Sequence, residues 1–194
     1  MRALSLLLST TTTIAAACSP PQEQRAPPCD DAICTTANDD GSSTTVVDAT
    51  DKEIFHGFDL DTASPTEDES GWDLRLRRFV IATNSGVSGD GGVETAVVDE
   101  VDFADVDSAP DDGFFTDLED GDDRDAEVDS AFVSPGGVDD PWYAYDLLNH
   151  TLTPKRRVYV TRTTDGAAFK ILVHGYYADD GEAGHLSFIF QQLP

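Results

Sequence analysis

Apolar side chains recur at every second position over short runs of this chain, and Gly, Asp and Pro separate the runs. Trp72, Leu74 and Leu76 alternate with Asp73, Arg75 and Arg77, the two-residue period of a strand with one buried face. The apolar set then moves to odd numbers at Phe79 and Ile81, which predicts one long strand with a bulge near Arg77 and Arg78. Further on, Phe169, Ile171 and Val173 share one face, with Lys170, Leu172 and His174 on the other. On this pattern strands are expected over residues 44–49, 53–60, 72–82, 93–98, 128–133, 157–163, 169–177 and 185–192. The Asp165-Gly166 pair predicts a hairpin between two of them, and Asp179-Asp180-Gly181 a longer connection before the last. No stretch sustains a helical period, although residues 142–148 have room for one helical turn. The expectation is an all-β, predominantly antiparallel, single domain over residues 44–194.

The amino-terminal pattern is different. Met1-Arg2 is a minimal basic start, residues 3–8 are apolar, and Ala15-Ala16-Ala17 leads into Cys18. That apolar run is far short of the roughly 18 residues that span a bilayer, so residues 1–17 are expected to be a signal peptide. A cysteine after small residues is the bacterial lipoprotein pattern. It predicts lipidation of Cys18 and an anchor in the outer membrane, because no Asp follows the cysteine; ordinary cleavage near Ala17 is the alternative. Residues 18–43 carry few large apolar side chains and are expected to form a flexible tether. Cys29 and Cys34 lie within it; a disulfide fits two thiols in an oxidising compartment better than a zinc site with no further ligands nearby.

Charge narrows the partners. The 38 acidic residues outweigh 12 basic ones, for a net charge of −26, which excludes nucleic acid and anionic lipid as direct partners. The densest acidic stretch, 99–129, does not fit a calcium loop: with Gly121 at its glycine position, Thr116 and Leu118 fall where ligands belong. A solvated acidic loop with no metal is expected. No G-x-S-x-G, H-E-x-x-H or phosphate-loop motif is present, so no enzyme activity is expected. The loop Asn84-Ser85-Gly86-Val87-Ser88-Gly89-Asp90-Gly91-Gly92 is either a binding surface or a solvated connection.

That loop also carries a resemblance. The sequence WDLRLRRFVIATNSGVSGDGGVE, then Trp142-Tyr143, RVYVTRTTDG, FKILVHGYY and HLSFIF, resembles the HmuY family of haem-binding outer-membrane lipoproteins over roughly residues 44–193. The resemblance implies a haem ligand, with an axial histidine between the Trp and the RVYV strand, where His150 lies. His150, on a loop among Leu147, Leu148 and Leu152, is expected to cap a haem face, with walls from Trp142, Tyr143 and Tyr145, and Lys155 and Arg156 are expected to meet a propionate. Residues 93–141 contain no His, Met or Cys, so the family's second axial residue has no counterpart there. His56, His174 and His185 read as side chains of strands. Three outcomes stay open: five-coordinate haem through His150, an unexpected second histidine, or a family member that has lost haem. In the last case it would be a surface interaction protein, using the Gly-rich loop and acidic face against a protein or polysaccharide.

Overall fold

A computed structural model describes residues 25–121 and 128–194. The expected signal peptide, Cys18 and part of the acidic stretch lie outside the described residues. Fifteen strands follow in chain order: β1 (Ile33–Ala37), β2 (Ser43–Asp48), β3 (His56–Asp59), β4 (Ser64–Thr66), β5 (Leu74–Arg77), β6 (Val80–Thr83), β7 (Glu94–Val98) and β8 (Phe114–Phe115). Then come β9 (Leu118–Glu119), β10 (Val128–Asp129), β11 (Tyr143–Asp146), β12 (Thr151–Pro154), β13 (Val158–Arg162), β14 (Ala168–Tyr177) and β15 (Ala183–Gln192). The chain is all-β and its strand pairs are antiparallel.

A seven-stranded sheet, in order β1-β2-β15-β14-β13-β7-β8, packs against a four-stranded sheet, in order β4-β3-β5-β6. Alternation dictates the interface. Ile171, Val173, Leu186, Phe188 and Phe190 from the large sheet meet Phe58, Leu74, Leu76 and Ile81 from the small one. Phe58 stands edge-on to Phe188 and Phe190, at 5.6 and 5.7 Å between ring centroids. Burial of side chains of this size contributes about 1.5–3 kcal/mol each, before entropy is counted. Two small hairpins, β9–β10 and β11–β12, complete the described residues.

Four expectations need correction. The expected long strand over 72–82 is two strands: Arg77 pairs with Val80, and Arg78-Phe79 form a tight turn. The change of apolar phase at Phe79 was a reversal of direction. The segment 128–133 is a strand only at Val128–Asp129 before it turns. Residues 142–148 form no helical turn; β11 runs through them as half of a hairpin. Finally, the expected tether is structured from residue 25. The Ala26 amide donates to the Tyr177 carbonyl at 2.7 Å, and β1 pairs over its whole length with β2 at the edge of the large sheet. Only Ile33 in β1 is a large buried apolar residue, so this strand rests on backbone pairing that a hydrophobicity pattern does not show. A disulfide joins Cys29, which precedes it, to Cys34, the second residue of β1.

The acidic residues 99–115 are more than a solvated loop. Val106 is buried against Val158, Val160 and Leu193 on the outer face of the large sheet. Lys170, itself buried, donates to the Phe103 and Val106 carbonyls, both at 2.9 Å. Arg162 stacks on Phe114 and donates to the Pro110 carbonyl. These two cations hold the acidic segment as a strap.

Candidate functional site

The β5–β6 turn, the β11–β12 hairpin and the end of β14 enclose a cleft of about 740 Å³. This lies within the ~300–1,000 Å³ typical of small-molecule sites. Phe79, Tyr143 and Tyr176 form its floor, with Tyr145, His150 and Leu152 along the hairpin side and Arg78 and Lys155 as its cations. Trp142 is fully buried beneath this floor. Its Nε1 donates to the Phe79 carbonyl at 2.8 Å, and its ring meets Tyr143 and Tyr176 edge-on. Trp142 therefore supports the wall residues rather than being one.

The hairpin is tied to the large sheet where Tyr177 accepts a hydrogen bond from the Leu152 amide at 2.7 Å. At its tip, Asp146 accepts from the amides of Leu148 and Asn149 and from the Asn149 side chain. Those bonds, the Asn149 side chain first, hold the Asp146 carboxyl below the usual range. His150 closes the turn with φ +54°, a left-handed conformation that a non-glycine residue adopts at a cost. Its Nδ1 lies 2.9 Å from the Tyr145 hydroxyl. Arg78, at φ +50°, is a second left-handed residue in the same cleft, and its Nη1 donates to the carbonyls of Thr50 and Ala183. Burial raises the Tyr176 phenol pKa, against an opposing pull from the Arg78 charge.

The structure thus brings together His150, Tyr143, Tyr145 and Lys155, with Trp142 just below. Arg156 faces elsewhere, into a separate cleft of about 440 Å³ lined by Asp99, Glu100, Asp102 and Asp105. Lys155 lines both clefts, and its Nζ pairs with Asp140 at 2.7 Å. Arg157 bridges Asp99 and Asp140 at 2.6 and 2.8 Å. Much of the basic cluster therefore answers neighbouring carboxylates, and the hydrogen bond from Lys155 in turn lowers the Asp140 pKa. Arg78, Phe79, Tyr176 and Tyr177 line this cleft without having been singled out in the sequence; of the leucines around His150, Leu152 lines it. The signal for Arg78 and Phe79 was present in the change of apolar phase.

The other histidines are outside this cleft. His174 is half-buried on β14; burial, then the nearby Arg156 charge, lowers its pKa, and its Nε2 has no hydrogen-bond partner. His185 lies 3.5 Å from Glu182. His56 lines another cleft, of about 930 Å³, with Ile33, Ile54, Phe55 and Arg75. Asp59, Asp61 and Asp73 bring carboxylate oxygens within 4.8 Å of one another. Asp73, however, accepts from the Leu60 and Thr164 amides and serves as a backbone tie.

The Gly-rich loop is packed on its inner side, while Gly86, Val87, Asp90 and Gly92 face solvent. Asn84 is buried in it, donating to the Ser70 and Trp72 carbonyls and accepting from the Gly91 amide. Asp117 is buried beside it, accepting from the Thr83 amide and hydroxyl and from the Ser88 hydroxyl. A Cβ on Gly86 would lie 1.8 Å from the Asp117 carbonyl oxygen, and one on Gly89 2.0 Å from Asn84 Oδ1. Glycine is required there by close approach.

These features define an antiparallel two-sheet protein with one aromatic-floored cleft beneath a hairpin. The HmuY protein family model matches residues 45–190, and the chain belongs to that family. Among solved structures it is similar to an apo HmuY analog of Tannerella forsythia, at 20% identity and a TM-score of 0.58 over 84% of this chain and 97% of that one. It is also similar to a Bacteroides vulgatus protein assigned as HmuY-like and haem-binding, at 18% identity and a TM-score of 0.58 over 77% and 91%. A Bacteroides fragilis protein assigned as a lipoprotein matches at 20% identity and a TM-score of 0.57 over 80% and 93%. These likenesses carry the fold. No curated protein matches the chain significantly.

Proposed function

We propose that this protein captures haem without catalysis, in the cleft beneath the β11–β12 hairpin, with His150 as the iron ligand. The observation that carries this reading is the convergence on one cleft of an imidazole, an aromatic floor and two cations. A porphyrin needs an apolar slot and a nitrogen ligand, and the cleft has both. Phe79, Tyr143 and Tyr176 would pack against the ring, Trp142 would keep that floor in place, and Arg78 and Lys155 would face the propionates. The two left-handed residues, Arg78 and His150, fit the habit of ligand clamps to hold costly backbone conformations. Among the described residues lining the cleft His150 is the single histidine and no methionine is present, so His150 would be the residue that holds the iron. Arg156, turned into the acidic cleft, takes no part.

In the same reading residues 1–17 are the signal peptide, and Cys18 carries the lipid that anchors the domain at the outer membrane of a Gram-negative-type bacterium. Family membership and the likeness to a Bacteroides protein assigned as a lipoprotein support this placement. The alternative of a surface interaction protein would use the outer side of the Gly-rich loop, where Val87 is exposed, and the acidic face.

Haemin titration of the full chain, followed by Soret absorbance, tests the reading. A saturable, red-shifted band that is lost or strongly weakened in His150→Ala is expected. The absence of saturation in the wild type would overturn it.

A further inference from the structure

We propose that Tyr145 is a positioning residue for the iron ligand: it holds His150 Nδ1 and so fixes Nε2 as the nitrogen offered to iron. The inference rests on the haem reading of the cleft and deepens it. Tyr145 lies two residues after Tyr143 in β11, so both side chains emerge on the same face of the hairpin, and both line the cleft. Tyr145 is opposite Leu152 in β12, whose amide is bonded to Tyr177 on the large sheet. The hydroxyl that meets His150 therefore projects from a strand anchored to the core, while His150 sits on the turn itself.

An imidazole can present either nitrogen to a metal. The choice is set by the hydrogen bond that the other nitrogen makes, and loss of such a partner typically weakens metal affinity by ~10–100-fold. In this structure Nδ1 is the nitrogen engaged, at 2.9 Å from the Tyr145 hydroxyl. Ligation through Nε2 puts the ring proton on Nδ1, which then donates to the Tyr145 oxygen. That donation makes the imidazole a stronger electron donor to iron. The turn reinforces the arrangement, since Asp146 fixes the two residues before His150 and His150 itself adopts φ +54°. Removing the phenolic oxygen frees the ring to rotate, while leaving the apolar body of the side chain in the cleft.

The test compares wild type, Tyr145→Phe and His150→Ala full-length chains in haemin titrations, with the reduction potential of the bound iron measured for each variant that binds. Tyr145→Phe is expected to bind haemin about 10-fold more weakly and to show a higher reduction potential, with an unchanged thermal midpoint in the absence of haem. A Phe variant that matches wild type in affinity and potential overturns the proposal. So does one that loses stability without moving the potential, which marks a structural role only. A Soret band lost in Tyr145→Phe but kept in His150→Ala also overturns it, because the phenol would then be the ligand. No saturable band in wild type defeats the underlying haem reading, an outcome distinct from all of these.

Discussion

The two most conspicuous loops of this protein, residues 84–92 and the hairpin tip at 146–150, reverse the roles their composition implies. The first is rich in glycine and serine, yet its inner side is a packed knot around two buried polar side chains, Asn84 and Asp117. The second carries two leucines, yet Leu147 and Leu148 are 77% and 90% exposed, and its chemistry is at its ends, in Tyr145 and His150. At Gly86, Gly89 and Gly91 glycine records crowding: an approach so close that no Cβ fits. The hairpin tip holds its shape with side-chain hydrogen bonds instead, and leaves its imidazole open to a ligand. A loop's functional potential follows from what its polar groups already satisfy.

The comparison breaks most visibly at Gly86. Alanine there would overlap the Asp117 carbonyl at a left-handed backbone position, so Gly86→Ala should cost about 4 kcal/mol or more, or prevent folding. Urea denaturation or soluble yield reads this. Asn84→Ala comes next. It leaves two carbonyls and the Gly91 amide without their partner inside the protein, for an expected loss of about 3 kcal/mol in the same assay.

A smaller effect sharpens the contrast through pH. Burial raises the Asp117 pKa above 3.8, whereas hydrogen bonds from Asn149 and Leu148 lower that of Asp146. For Asp117 the folded state binds its proton more readily than the unfolded chain, so this group penalises folding as pH rises through and above 3.8. For Asp146 the sign is opposite: its contribution is present above 3.8 and is lost as pH falls through the lowered folded value. Amide hydrogen exchange should therefore show protection at Leu148 and Asn149 declining at the acid end, with no Asp117-driven loss at the knot. Parallel loss at both loops would refute the assignment. The smallest effect belongs to the exposed leucines. Leu148→Ser should change stability by no more than about 0.5 kcal/mol, measured by thermal unfolding.

Much of the fold was legible because its sheets bury one face. Strands β13, β14 and β15 lie close to where alternation puts them, and the Asp-Gly turn between the first two was explicit. What escaped was structure held by backbone and polar contacts. β1 joins the large sheet with one buried large apolar side chain, and β11–β12 was obscured by leucines that face solvent. The site was half legible. His150, Tyr143, Tyr145 and Lys155 share a cleft, but Arg78 entered it only because the chain reverses where a bulge was expected. Arg156 was misplaced for an equally local reason. Its left-handed backbone conformation accompanies a side chain directed to the acidic strap, which adjacency in sequence to Lys155 does not reveal.

The most direct test of the central claim is to map where a porphyrin lands, using gallium protoporphyrin, a diamagnetic stand-in for haemin, and amide and side-chain NMR shifts of the full chain. The account predicts the largest shifts at Phe79, Tyr143, Tyr145, His150, Leu152 and Tyr176, around the cleft beneath the hairpin. Shifts centred instead on Ile54, Phe55 and His56 would move the ligand to the other cleft and contradict it.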